Sequence, residues 1–239
     1  MKPLIVTGSS FDPYHNLAIE ETLLKTCRGF RILYLWQNDR TVVIGRNQIA
    51  EAECSLDKMK EDGITLARRM SGGGAVYHDL GNLNFTFIAP RGMLSIDENF
   101  GIISEAVGSF GIKTCRTGNN DLGIDPEGMK FSGSAFFQSG PDEDSPCFHH
   151  GTILCSCDID KLVRYLTPSS EKLERHGVQS VRARVANLGL EVSSVKESVI
   201  KVFEKHYGEA ERTGEEILDP GMVKEAENRL SSHDWLFSI

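Results

Sequence analysis

No stretch of the chain reaches the 18 consecutive apolar residues that a membrane-spanning helix needs, so such a helix is excluded. The amino terminus, Met1-Lys-Pro-Leu-Ile-Val-Thr-Gly8, lacks the longer apolar region of a secretory signal, and the cytoplasm is the expected compartment. Positive charge is in short supply: 26 Lys and Arg face 34 Asp and Glu, a net charge of -8. Such a surface repels phosphate backbones, which argues against nucleic acid as the main partner but leaves room for a local basic pocket holding one nucleotide. The six cysteines contain no C-x-x-C pair. Only Cys155 and Cys157 lie close together, and buried core thiols in a reducing compartment are expected rather than metal or redox chemistry. Repeats, low-complexity runs and Pro-rich linkers are also missing, so the 239 residues are expected to form a single domain, 1–239. With 40% hydrophobic and 25% charged residues, the composition is that of a globular chain and excludes wholesale disorder.

Strand and helix signals alternate along the whole length, which predicts an α/β or α+β fold. Asp12 and Pro13 open a first helix that buries Tyr14, Leu17, Ala18 and Leu24 and stops at Gly29, with Glu20 and Glu21 on or beside its polar side. Phe30–Trp36 and Thr41–Gly45 read as central strands, followed by a short helix over 55–61 and a strand over 64–69. Leu83, Phe85 and Phe87 alternate with Asn82, Asn84 and Thr86, the pattern of a half-buried antiparallel strand. A helix from about Asp97 carries Ile102, Ile103, Ala106, Val107 and Phe110 and ends at Gly111. Strands are expected over 112–116, 129–137 and 150–155, and a mainly helical remainder includes a capping box, Ser194-Val-Lys-Glu197, and a last helix over 221–230.

Three clusters carry chemistry. The first is Arg68-Arg69-Met70-Ser71-Gly72-Gly73-Gly74-Ala75-Val76-Tyr77-His78-Asp79, in which bare backbone offers amide donors to an anion and two arginines supply planar bidentate donors. It is neither a Walker loop nor a dinucleotide fingerprint. The second pairs the polar run Gly118-Asn119-Asn120-Asp121, whose oxygens suit a hard cation beside a nucleotide, with Lys130-Phe-Ser132-Gly133-Ser134-Ala135. The third is Phe148-His149-His150-Gly151-Thr152. Adjacent histidines on a strand face opposite sides, so one histidine in a pocket wall is expected rather than a zinc site.

These segments, together with Asn16-Leu-Ala-Ile-Glu20-Glu21, Val43-Ile-Gly45-Arg46-Asn47-Gln48 and Leu80-Gly-Asn82, resemble the ordered motifs of the lipoate-protein ligase A family over roughly residues 10–239. The resemblance implies a biotin-protein-ligase-like catalytic fold: mixed, largely antiparallel sheets flanked by helices. It implies activation of lipoic acid, or octanoate, with ATP and Mg²⁺, and attachment to a lysine of apo lipoyl domains of 2-oxoacid dehydrogenase E2 subunits or of glycine cleavage H protein. Carried over by motif, Arg69, Ser71, Gly72, Gly73, Gly74, Ala75, Val76, Tyr77, Asn120, Asp121 and Lys130 are the expected ATP and lipoyl-AMP site. Lys130 is the expected catalytic residue and Asp121 the expected metal ligand. The lipoate pocket is expected to draw on Leu17, Val43, Gly45, Arg69, His78, Ser134 and His149, with Ile44, Val76 and Tyr77 as further apolar lining. Relatives usually continue into an accessory carboxy-terminal domain past the position of Trp235. Its absence here raises the expectation of a separate accessory-domain subunit.

Two rivals remain at this stage. An octanoyl or lipoyl transferase of the same fold would carry the acyl group on a cysteine thioester, in the region where this chain has Asn119-Asn120-Asp121. A non-catalytic module that binds lipoyl adenylate or lipoyl domains is the other.

Overall fold

The computed structural model describes residues 1–26, 28–167 and 184–237. Its frame is an eight-stranded sheet of order β11-β1-β2-β6-β10-β9-β8-β7, with a three-stranded sheet of order β4-β3-β5 beside it. Strand β1 (Lys2–Thr7) buries Leu4, Ile5 and Val6 and runs parallel to β2 (Phe30–Trp36), with α1 (Pro13–Thr26) as the crossover. The sequence shows β1 only as a short apolar run. The amide of Tyr14 donates to Asp12 Oδ1 at 2.8 Å, closing the start of α1 as expected.

The small sheet holds β3 (Thr41–Ile44) between β4 (Thr65–Arg68) and β5 (Val76–His78). Helices α2 (Ala50–Glu53) and α3 (Leu56–Asp62) precede β4, and Gly63 ends α3 with φ +64°, a left-handed cap that favours glycine. Next come β6 (Asn82–Pro90) and α4 (Ile96–Gly108), where Ser95 accepts the amide of Glu98. Four antiparallel strands follow: β7 (Thr114–Arg116), β8 (Asp121–Ile124), β9 (Met129–Gln138) and β10 (Pro146–Leu154). Strand β8 is the four residues Asp-Leu-Gly-Ile, and Asp121 alone joins it to the polar run read in the sequence. The chain continues through α5 (Ile159–Tyr165), α6 (Val192–Tyr207), β11 (Glu211–Thr213), α7 (Pro220–Leu230) and α8 (His233–Leu236).

Alternation along the strands divides the sheet into two cores. Leu33, Leu35, Phe85, Phe87 and Ile153 pack under α4 and α6, while Ile32, Tyr34, Ile88 and Phe148 pack under α1 and α7. A third core lies beneath the small sheet, around Val42, Ile44, Met59, Tyr77 and Tyr165.

Three expectations are corrected. Strand β6 is buried along both faces, so Asn82, Asn84 and Thr86 line a covered polar seam rather than solvent. Glu20 and Glu21 are 1% and 3% exposed, because α1 is covered by the sheet on one side and by α7 on the other. Glu20 is held by Thr86 and His150, and Glu21 by Lys25 and Arg229. Finally, α6 begins at Val192 with Glu191 as its cap, leaving Ser194 inside the first turn, so the capping box does not form. The expected helical remainder extends into 168–183, and Cys27 is one of the six thiols; both lie outside the described residues. Among the described residues, no helix is long and apolar enough to cross a membrane.

Candidate active site

A cavity of about 390 Å³ opens between the two sheets, within the range of small-molecule sites. Trp36, Asn84, His150 and Thr152 form its floor on the seam side of β2, β6 and β10, and Leu17 of α1 and Val43 of β3 supply apolar wall. The glycine loop contributes Gly73, Gly74 and Ala75, followed by Val76 and His78 of β5. Thr117 to Asp121, Lys130, Gly133 to Ala135, Gly151 and Arg69 complete the lining.

Lys130 Nζ lies 2.9 Å from Asp121 Oδ1, and both side chains are about one-third exposed. The lysine needs the glycine three residues on: a Cβ at Gly133 would stand 2.7 Å from Nζ. Gly151 serves the neighbouring strand similarly, because a Cβ there would meet the Gly133 carbonyl at 2.7 Å. Ser134 is fixed by Asn120, whose carbonyl accepts both its amide at 2.8 Å and its hydroxyl at 3.0 Å. Backbone therefore packs closely around Gly133 and Ser134.

The two arginines separate. Arg68 is 1% exposed and donates to the carbonyls of Gly45, Arg46, Gln48 and Leu236, so it braces backbone and offers nothing to a ligand. Arg69 lines the cavity but donates to Ser71 Oγ and to the carbonyls of Val43, Gly72 and Gly74, tying the glycine loop to β3. Burial lowers the Arg69 pKa to about 10, with the nearby Glu20 charge opposing the shift.

Behind the floor runs a buried chain of hydrogen bonds. Thr86 Oγ1 donates to Glu20 Oε1 at 2.7 Å, and His150 Nδ1 lies 2.8 Å from the same oxygen. His150 Nε2 is 2.7 Å from Ser71 Oγ, which accepts from Arg69 Nε at 3.1 Å. Trp36 Nε1 donates to Thr86 Oγ1 at 3.1 Å. This network couples the buried carboxylate of α1 to the loop arginine.

The cavity brings together Arg69, Gly73, Gly74, Ala75, Val76, Asn120, Asp121, Lys130, Leu17, Val43, His78 and Ser134 from the sequence reading. It leaves out six others, of which Ile44 lies in the third core. His149 is corrected to His150: alternation on β10 turns His149 to the opposite face, among Phe85, Phe100 and Asn99, where burial first and His150 and Arg116 next lower its pKa to about 3. Gly45 lies behind the loop, where a Cβ would be 2.2 Å from the Gly73 carbonyl. Tyr77 points into the third core beside Tyr165, and Ser71 and Gly72 act through the loop without lining the cavity. Trp36, Asn84 and Thr117 escaped the sequence reading. For Asn84 the signal existed, as one of the polar residues alternating along β6.

Among the described lining residues there is no cysteine, and Asp121 is the one carboxylate. Cys147 is fully buried and donates to the Ala89 carbonyl, its pKa raised by burial to about 11. Among the described residues no group of three or more His, Cys, Asp or Glu could hold a metal ion by itself.

Residues 12–208 match the family model of the lipoyl protein ligase A/B catalytic domain. A curated relative, lipoate-protein ligase A of Bdellovibrio bacteriovorus, is 42% identical over 245 residues, covering 98% of this chain and 71% of the relative. Among solved structures, P. falciparum LipL1 in complex with lipoate is similar with a TM-score of 0.84 at 31% identity, over 99% of this chain and 74% of that one. A bipartite lipoate protein ligase from Thermoplasma acidophilum, described with its E2 lipoyl domain, gives 0.83 at 28% identity over 99% and 96%. A lipoate-protein ligase A bound with ATP gives 0.81 at 26% identity over 99% of each chain.

Proposed function

The chain belongs to the lipoyl protein ligase A/B catalytic-domain family and ligates lipoate with ATP, and from that premise we propose how its cavity does so. Joining a carboxylate to a lysine amine at neutral pH requires a better leaving group than hydroxide, which adenylation supplies. The lipoate carboxylate and the α-phosphate meet at the polar side of the cavity, beside Lys130. The ammonium offsets the repulsion between two anions as they approach and faces the oxyanion that develops when the acceptor amine attacks the acyl carbon. The acyl chain runs inward between Leu17, Val43 and Val76 toward Trp36 and His78. Gly73 and Gly74 present backbone to the adenylate, and Arg69 holds them in place from below.

Asp121 fits Mg²⁺, which asks the protein for only one or two carboxylates when substrate phosphates complete its shell. When bound there the ion supplies neutralisation of the triphosphate charge. Asn120 is the remaining side chain assigned to the nucleotide. The acceptor is an apo lipoyl domain of an E2 subunit or an H protein, and an accessory subunit assists transfer. The bipartite ligase of T. acidophilum supports that last assignment by analogy.

One observation carries the reading: Lys130, steered by Asp121 and given room by Gly133, faces the same cavity as the glycine loop. The thioester route has no thiol on the described lining. The test is lipoate-dependent exchange of labelled pyrophosphate into ATP. Exchange is expected, and its absence, with acyl transfer from an acyl carrier through a protein thioester instead, would overturn the reading.

A further inference from the structure

His78 lines the cavity beside Trp36, both rings buried, their centroids 6.3 Å apart and their planes at 74°. It is 3% exposed, and its Nε2 has no hydrogen-bond partner among the described residues. The other ring nitrogen, Nδ1, is 3.2 Å from Asn38 Nδ2. Asn38 Oδ1 in turn is 2.9 Å from Asn16 Nδ2, which also faces the backbone carbonyls of Ser10 at 3.1 Å and Gln37 at 2.7 Å.

These carbonyls settle every orientation in the chain. A carbonyl oxygen only accepts, so the Asn16 atom facing both is its amide nitrogen. That nitrogen, its two N–H groups shared among these acceptors, lies 2.9 Å from Asn38, where a second amide nitrogen would be repelled, so Asn38 turns its oxygen toward Asn16 and its NH₂ toward His78. Nδ1 of His78 is therefore an acceptor, and the ring proton sits on Nε2. Both asparagines are fully buried, which protects the relay from water. Burial, with Arg69 and His150 adding to it, lowers the His78 pKa to about 3, so the ring is neutral.

We propose that Asn16 and Asn38 are positioning residues that fix the His78 tautomer, so that its Nε2–H recognises the dithiolane end of the acyl chain and makes the site prefer lipoate to octanoate. The inference rests on the ligase reading. With the carboxyl beside Lys130, the far end of an eight-carbon chain comes to Trp36 and His78. Lipoate places polarisable sulfur there, a weak acceptor that also packs well against an indole ring. Octanoate places only C–H there, leaving a buried donor unbonded, which is the costly half of a hydrogen-bond deletion.

The experiment measures kcat/KM for lipoate and octanoate in pyrophosphate exchange, together with ¹⁵N NMR of the His78 ring, for the wild type, His78→Phe and Asn38→Asp. Wild type should favour lipoate and carry one ring proton, on Nε2. His78→Phe should lower the lipoate-to-octanoate ratio by about fivefold, the worth of one hydrogen bond. In Asn38→Asp a carboxylate replaces the amide donor facing Nδ1, and the ratio should follow the proton: it falls, through KM rather than kcat, if Nε2 is bare and holds if Nε2 stays protonated. A proton on Nδ1 in the wild type, an unchanged ratio in His78→Phe, or a ratio in Asn38→Asp that departs from the Nε2 state would overturn the proposal. Failure of the ligase reading would look different, since neither acid would then support exchange in the wild type.

Discussion

Gly133→Ala should separate catalysis from folding. A Cβ at this position would stand 2.7 Å from Lys130 Nζ and 2.8 Å from its Cε, with Asp121 Oδ1 the next neighbour at 3.6 Å. Carbon contacts of this kind settle at roughly 3.5–4.0 Å, so the ammonium must move by about 1 Å. Its stem is flexible and no backbone atom is among those three neighbours, so the move costs little stability. A displacement of about 1 Å at a reacting group costs on the order of 100-fold in rate. The assay is lipoate-dependent pyrophosphate exchange beside a urea unfolding curve: exchange should fall about 100-fold while the unfolding midpoint hardly changes. Exchange within threefold of wild type would refute the placement of Lys130 over Gly133, and a large loss of stability would refute the claim that the lysine alone gives way.

Glu20→Ala removes a buried acceptor from Thr86 and His150 and a countercharge from Arg69. It should cost about 4 kcal/mol, the scale of breaking a buried charged network, seen as roughly 8 °C in Tm for a chain of this length; a loss under about 1 kcal/mol would show that the network bears no strain. His149→Phe should lessen acid sensitivity. The folded pKa of about 3 lies below the unfolded 6.5, so stability is lost as pH falls from 6.5 toward 3, by about 1.4 kcal/mol per pH unit for this one group. Urea unfolding between pH 4 and 6 should show a slope reduced by about that amount, and an unaltered slope would contradict the assignment. Cys115→Ser and Cys147→Ser should retain activity, because neither thiol lines the cavity; an acyl thioester on either residue by mass spectrometry, lost on its substitution, would contradict the adenylate route.

Much of this architecture was legible where periodicity and punctuation agree. Phe30–Trp36, Thr41–Gly45 and the helix before Gly111 follow from apolar runs closed by turns, and the structure places elements there. A strand of three residues such as β11 carries too few side chains for a period to emerge, and β11 was missed. The alternation of β6 was read correctly as a period of two, but a sequence cannot tell a polar face turned to water from one turned to a cavity. The same ambiguity hid Glu20, whose partners Thr86 and His150 lie 66 and 130 residues away. At the site, residue type marked Lys130, Asp121 and the glycine loop. The choice between His149 and His150 depended on strand register, and the difference between Arg68 and Arg69 on which guanidinium faced carbonyls behind β4.

The proposed role of Lys130 is to supply the positive charge at the reacting carboxyl. Lys130→Gln keeps length and polarity but removes that charge, and single-turnover formation of lipoyl-AMP measures the step directly. The rate should fall about 100- to 1000-fold, the usual cost of deleting one transition-state donor, with Tm held within a few degrees. A rate within threefold of wild type in a folded variant would show that the charge lies elsewhere.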